Sequence, residues 1–453
     1  MGPFWRPAPL ALHLPAHGRG RALAPDLRRL LRQPPGRWDL PELPGFGGPL
    51  EPEGTVAEAQ GRAATLLGAD RCWFGVNGAS GLLQAALLAL GPPGSRVLLP
   101  RNLHRSLLHG CVLGGLEPLL FDLASDPLTG LWQPPEPERL ERVLAAAAAL
   151  PGGPVAALVL VDPSYQGLAA DLPALVDLGH RAGLPVLVDQ AHGGGGALAA
   201  GADLVVLSVQ KSGTGLAQSA ALLAQGARVA PAAIERALLW LQTSSPSALL
   251  LASTAAALEH GASAAGRRQR QRAEARAGRL RRRLEGLGLP LVANRDPLRL
   301  VLATAPLGIN GLEADTWLLE RGVIAELPEP GALTFCLGLN PPRGMERRLP
   351  RQLEALRRAL GGPPLPPFTP PPLPLLAAPE LAIGVAWRSP AVAIPLEEAA
   401  GRLAAAPLCP YPPGIPLLVP GERIDPARAA WLLEQRRLWP GQIADTVSVV
   451  AGS

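Results

Sequence analysis

The chain has 453 residues, 48% of them hydrophobic and 17% charged, which is enough apolar mass for two or three domains and too much for a disordered chain. Its net charge of +5 is modest for this length and excludes no small acidic ligand while requiring no nucleic acid. Four dispersed cysteines, Cys72, Cys111, Cys336 and Cys409, lack metal-ligand spacing and fit a reduced, cytoplasmic setting with no required metal.

From about Arg62 to Leu222, short apolar runs alternate with helical segments, the pattern of an α/β fold with a mostly parallel sheet flanked by helices. Strands are predicted at Arg71–Val76, Arg96–Leu99, Pro118–Phe121, Val155–Val161, Pro185–Val188 and Leu204–Leu207. Ligands of such sheets bind beyond the carboxyl ends of the strands, so the residues just after each run are the first candidates for chemistry. The most apolar stretch, Leu144–Val161, is broken by Pro151, Gly152, Gly153 and Pro154 and reads as no membrane span. From Pro231 to Leu287 the composition is that of long helices, and the arginines between Arg267 and Arg283 read as a solvated face without the aromatics of a nucleic-acid platform. Leu289–Leu360 mixes strand-like runs with helices as a smaller α+β portion. Nine prolines between Gly361 and Pro379 predict an extended linker. The expected division is 1–360, a linker at 361–379, and a small C-terminal domain at 380–453.

Of 42 basic side chains only Lys211 is lysine. Arginine replaces lysine on a solvated surface at little cost, but a guanidinium is no amine nucleophile, so a solitary lysine can mark a need for its amine. The run Leu184–Val188 ends in Asp189, followed by Gln190, Ala191, His192 and four glycines; after Leu204–Leu207 come Ser208, Val209, Gln210 and Lys211. Lys211 and Asp189 therefore both follow strands and can share a pocket. Pyridoxal phosphate needs this pair, an amine to hold its aldehyde as an imine and a carboxylate to keep the pyridine nitrogen protonated; an exposed lysine and a capping aspartate are the structural alternative. Upstream, Asn77-Gly78-Ala79-Ser80-Gly81 leads into a helical run, a candidate phosphate cradle that an ordinary N-cap would also explain. No G-x-G-x-x-G fingerprint is present. His104 follows the next strand, where an imidazole can stack on a flat ring.

Together these motifs resemble the pyridoxal-phosphate-dependent ornithine/lysine/arginine decarboxylases of the aspartate-aminotransferase-like fold (fold type I). The resemblance covers Pro15-Ala16-His17-Gly18-Arg19-Gly20, Leu43-Pro44-Gly45, Pro52-Glu53-Gly54, Glu58-Ala59-Gln60, Arg101-Asn102-Leu103-His104-Arg105-Ser106, Asp162-Pro163-Ser164-Tyr165-Gln166-Gly167, Val188 to Gly193 and Gln210-Lys211. Most specific are Ile394-Pro395-Leu396-Glu397-Glu398-Ala399 and the block Tyr411 to Glu422, which resemble the family's C-terminal domain. The resemblance implies that Lys211 forms the internal aldimine, Asp189 pairs with the pyridinium nitrogen and His104 stacks on the ring. Ser80, Gly81 and Ser208 would hold the phosphate, with Gln210 beside it, and Ala191 and His192 would line the cofactor pocket. It further implies decarboxylation of a basic amino acid, lysine, arginine or ornithine, by a homodimer, and makes Glu326 a candidate for the substrate's distal cation.

Departures accompany the matches. Gln210 stands where the family usually has a histidine, Gln190 where it has a glutamate, Gly194–Gly196 where it has polar and aromatic residues, Ala16 replaces a glycine, and the longest members' extra N-terminal domain has no counterpart here. Another reaction on the same cofactor, such as aminotransfer or retro-aldol cleavage, and a catalytically idle relative with a binding role remain the alternatives.

Overall fold

In this computed structural model, residues 10–41, 43–409, 415–439 and 443–453 are described. In chain order the strands are β1 (Leu10–Ala11), β2 (Arg71–Gly75), β3 (Arg96–Pro100), β4 (Glu117–Phe121), β5 (Val155–Val161), β6 (Val186–Asp189), β7 (Leu204–Ser208), β8 (Ala220–Ala224), β9 (Arg299–Ala303), β10 (Val323–Ile324), β11 (Leu327–Glu329), β12 (Ala332–Cys336), β13 (Leu376–Ala377), β14 (Ala391–Pro395) and β15 (Thr446–Val450). The main sheet has the order β13-β4-β3-β5-β6-β7-β8-β2. Strands β3 to β7 pair in parallel. β8 runs antiparallel to both β7 and β2, which returns β2 to the direction of the parallel strands.

Both faces of this sheet are buried, which is why its strands read as unbroken apolar runs. Successive residues go to opposite sides: Leu158, Leu160, Val186, Val188 and Val205 enter one core with the helices Thr55–Leu67, Pro137–Ala149 and Leu172–Arg181. Ala157, Val159, Leu187, Leu204 and Val206 enter the other, under the helices Gly78–Ala89, Arg105–Gly114 and Pro231–Leu241. Crossovers leave β3 toward β4 and return to β5 on its other side, so the carboxyl ends of β3 and β5 flank a switch in strand order.

A smaller antiparallel sheet, β11-β12-β9, and the parallel pair β1–β10 form a second unit. The helix Ala264–Gly286 covers it with Ala273, Ala277, Leu280 and Leu284, a helical stripe, together with Leu349, Leu353 and Leu356 of Met345–Leu360. The arginine-rich helix is thus solvated on only part of its circumference. Several of its arginines also tie segments together: Arg276 donates to the Pro341 carbonyl at 3.2 Å, and Arg279 pairs with Glu346 at 3.2 Å.

The proline-rich stretch runs extended and is docked against the rest of the chain. Gly362 and Leu365 donate to the carbonyls of Leu307 and Ala305 at 3.0 Å each, the buried Phe368 stacks on Trp439, and β13 adds to the sheet edge beside β4. Prolines hold the segment straight, while its leucines and Phe368 supply the apolar contacts that fasten it. A last core gathers Leu396, Leu418, Leu432, Val447 and Val449 around the β14–β15 pair. Of the C-terminal motif, Tyr411 to Gly414 lie outside the described residues.

Candidate active site

Lys211 lies in the short helix Val209–Ser212 directly beyond β7, and its Nζ is 2.9 Å from His192 Nε2. His192 follows β6 in the turn begun by Asp189, and its ring packs against Tyr165 with centroids 4.1 Å apart. Tyr165 belongs to the loop after β5; Lys211 Nζ lies 5.7 Å from its ring centroid. The ends of three neighbouring strands thus converge on the one lysine. Ala16, Ser212, Arg270, Arg299, Gly338 and Leu339 also line the cleft that holds Lys211 and His192. The opening motif is fixed there by its backbone: Ala16 donates to the Gln210 carbonyl at 2.8 Å and accepts from Leu339 at 3.0 Å.

Asp189 is buried, and its Oδ1 accepts from the backbone N–H of Ala191, itself buried, at 3.0 Å. Burial raises the Asp189 pKa above the usual carboxylate range against the pull of that hydrogen bond and of Lys211. Burial lowers the Lys211 pKa below the usual lysine range, although Asp189 and Glu326 draw it upward. The His192 pKa is pushed well below its ordinary value by burial and then by the charges of Lys211 and Arg299. His104 begins the helix Arg105–Gly114 as its N-cap, with Nδ1 accepting from Ser106 N at 3.2 Å. That bond leaves the proton of the neutral ring on Nε2. Burial and then the nearby Lys211 lower its pKa to about 4, although the residue as a whole is exposed to solvent.

Ser80 and Gly81 occupy the first turn of the helix Gly78–Ala89; Gly78 N donates to the Gln218 carbonyl at 3.1 Å and Gly81 N to the Asn77 carbonyl at 3.4 Å, while Ala79 and Ser80, at the second and third helical positions, have no intrahelical acceptor for their N–H groups. Gly78 there has φ +66°, and a side chain on Gly81 would come within 3.1 Å of Asn77 Cβ. Ser208 is buried at the N-cap of the Lys211 turn, with Gln210 between them. Glu326 accepts from Leu14 N at 2.7 Å and from the Tyr165 hydroxyl, so both its oxygens have protein donors. The glycine run has a packing cause at its first position: a Cβ on Gly193 would meet Pro163 Cδ at 2.6 Å. Gly195 and Gly196 have φ +120° and +110°.

A family model described as Orn/Lys/Arg decarboxylase, major domain, matches residues 5–294, and one for that family's C-terminal domain matches residues 373–437. The chain belongs to the Orn/Lys/Arg decarboxylase family. It is 31% identical to the arginine decarboxylase of Halalkalibacterium halodurans over 95% of this chain and 91% of that one. It is 30% identical to the arginine decarboxylase of Bacillus subtilis over 94% of this chain and 90% of that one. Its fold is similar to that of the constitutive lysine decarboxylase of Escherichia coli, with TM-score 0.73 at 20% identity, covering 90% of this chain and 73% of that one. The family is one of pyridoxal-phosphate-dependent carboxy-lyases of basic amino acids, on fold type I.

The residues of this Orn/Lys/Arg decarboxylase fit that cofactor. Asp189 is a buried carboxylate held by a single amide, as a pyridinium partner should be, and Lys211 is an amine whose charge is disfavoured where it stands. Two buried polar atoms around the cleft, Asn102 Oδ1 in the His104 loop and His192 Nδ1, have no hydrogen-bond partner among the described residues. The sequence reading quoted Tyr165 only as part of a motif and missed Arg299. Tyr165 carried a signal, being one of 2 tyrosines in the chain; Arg299, one arginine among many, carried none.

Proposed function

We propose that this Orn/Lys/Arg decarboxylase converts L-arginine to agmatine and carbon dioxide, using Lys211 and the groups around it. The observation that carries the reading is the placement of the only lysine, half-buried, in a cleft beside His192 and within the electrostatic reach of the buried Asp189. Arginine is chosen over lysine and ornithine because the arginine decarboxylases of Halalkalibacterium halodurans and Bacillus subtilis match this chain over 95% and 94% of its length.

Pyridoxal phosphate bound in the cleft supplies an aldehyde for the substrate amine and a ring that takes up the electron pair left by departing carbon dioxide. The protein's part is to hold and orient. Asp189 would pair with the ring nitrogen, His104 would stack on the ring, and the helix start at Ser80 and Gly81, with Ser208 and Gln210, would hold the phosphate. Ala191 and His192 form the wall beside Asp189. The depressed pKa of Lys211 keeps a larger share of its amine neutral, hence nucleophilic, at neutral pH. Lys211 Nζ, 2.9 Å from His192 Nε2, would hold the proton that the substrate carbon needs once carbon dioxide has left. Glu326, kept in place by Leu14 N and the Tyr165 hydroxyl, retains lone pairs for the distal guanidinium.

We further propose a cytoplasmic homodimer of three parts, residues 1–360, the strap 361–379 and residues 380–453. Supporting the dimer, Leu239 and Trp240 are each 68% exposed side by side on the helix Pro231–Leu241. No helix among the described residues is long and apolar enough to cross a membrane.

Lys211→Ala tests the reading. Wild-type protein is expected to show bound pyridoxal phosphate that borohydride attaches covalently, and to release carbon dioxide from L-arginine. The variant should lose the attachment and more than about 1,000-fold in rate. Covalent attachment that survives in Lys211→Ala, or carbon dioxide released only from lysine or ornithine, overturns the corresponding part.

A further inference from the structure

His104 is fastened little by its own side chain. Arg101, Leu103, Ser106 and Leu107 around it are buried, whereas His104 is exposed. Among the described residues its ring bonds only to Ser106, the N–H at 3.2 Å and the hydroxyl at 2.8 Å, two positions further along the same chain. A ring held in this way goes where the backbone from Arg101 to His104 carries it.

The C-terminal domain holds that backbone on both sides of the histidine. Ahead of it, Arg101 Nη1 donates to Glu422 Oε2 at 3.0 Å and Nη2 to Glu422 Oε1, while the Arg101 N–H donates to the Phe121 carbonyl at 3.0 Å. One residue is thus shared between the main sheet and the final domain. Leu103 enters the same core as Ile383 and Val419 of that domain. Beyond the histidine, His109 of the helix Arg105–Gly114 meets Trp387 of the helix Ile383–Arg388 edge-on, with ring centroids 5.3 Å apart. Arg101 and Glu422 are both buried. A buried ion pair is worth little more to stability than an apolar pair of the same volume, because stripping water from two charges offsets most of their attraction. What two parallel N–H···O bonds add is direction, since they admit one orientation of the guanidinium. The side chain nearby whose orientation matters to a ligand is His104.

We propose that Glu422 is a positioning residue for the cofactor, fixing His104 through Arg101, so that the C-terminal domain contributes to pyridoxal phosphate affinity without supplying a contact; this rests on the reading above in which His104 lies against the ring. With the ion pair intact the histidine is placed before the cofactor arrives. Without it, binding must restrict a looser loop, and that cost appears as weaker affinity.

A double-mutant cycle tests the assignment. The full-length, cofactor-free chain is titrated with pyridoxal phosphate as wild type, His104→Ala, Glu422→Gln and the double variant, each at a temperature where it is folded. His104→Ala is expected to weaken the cofactor about 3- to 10-fold, the worth of a ring contact. Glu422→Gln should weaken it by a similar factor alone, and by less than about twofold once His104 is already alanine. Hydrogen exchange on the cofactor-free protein should be faster in Glu422→Gln at residues 101–109 and unchanged in β5 and β6. If Glu422→Gln does not fold, Glu422→Asp, which keeps the charge and shortens its reach, carries the same cycle. A lower denaturation midpoint with unchanged cofactor affinity, or the same loss of affinity with and without His104, overturns the positioning role alone. A wild-type chain that takes up no pyridoxal phosphate, or a His104→Ala variant that binds it as wild type does, overturns the reading on which the inference rests.

Discussion

Glu329 illustrates how burial sets the chemistry of single side chains around the cleft. It closes β11 and accepts from Gln166 Nε2 at 2.7 Å, yet burial raises its pKa from 4.5 to about 7. Between those two pH values the folded chain keeps a proton that the unfolded chain releases. The stabilisation from this group is complete below pH 4.5 and is lost as pH rises through about 7. Glu329→Gln, unable to titrate, should therefore show a smaller fall in thermal midpoint than wild type between pH 5 and pH 7.5. Parallel curves would assign the carboxylate an ordinary pKa. The same scale shows what was legible beforehand. Lys211 stood out because it is the only lysine, and Asp189 because it ends an apolar run. Tyr165 and Arg299 depend on which distant strand lies opposite them: Arg299 pairs in register with Cys336 across the small sheet, a relation with no local signature.

At the scale of elements, the C-terminal motif acquires its physical meaning through Arg101. This arginine lies just beyond β3, three residues before His104, and donates to the Leu417 carbonyl at 3.2 Å and to Glu422 through both terminal nitrogens. Arg101 and Glu422 are 1% and 2% exposed. Glu422 also accepts from Val419 N at 2.9 Å, and Arg428 lies 3.4 Å away. A Cβ on Gly421 would sit 2.0 Å from the Leu381 carbonyl, so the Pro420-Gly421-Glu422 turn requires that glycine. The final domain thus clamps the loop that carries His104. Glu422→Gln leaves the buried Arg101 guanidinium without its anion, while Arg428 keeps Asp425, and should destabilise the protein by about 3–5 kcal/mol, read as a lower denaturation midpoint. Glu380→Gln removes an exposed partner of Arg423 and should cost little, as exposed pairs do. A Glu422→Gln protein as stable as wild type would show that the clamp is dispensable. Other elements escaped the sequence reading for local reasons. β8, Ala220–Ala224, has a composition that suits a helix and becomes a strand because β7 and β2 hold it on both sides.

For the whole molecule, the exposed Leu239 and Trp240 make the oligomeric state testable without touching the cleft. Their helix buries Ile234, Ala237 and Leu238 against the helix Gly78–Ala89, so Leu239 and Trp240 are left to meet a second copy. Trp240→Glu should shift the sedimentation equilibrium from dimer toward monomer, weakening association at least about 10-fold. A wild-type protein that sediments as a monomer at micromolar concentration would overturn the dimer.

Taken by itself, the sequence determined the alternation of buried strands and helices, the positions just beyond strand ends where chemistry collects, and the lysine that an arginine-rich chain retained. These are local properties: periodicity, turn residues and composition are read within a few neighbours. Tertiary structure decided the antiparallel insertion of β8, the docking of the proline-rich strap, the clamp of Glu422 on Arg101 and the placement of Arg299 on the wall of the cleft. Each of these joins residues far apart in the chain, and its energetics depend on what burial removes from water, which no local pattern records.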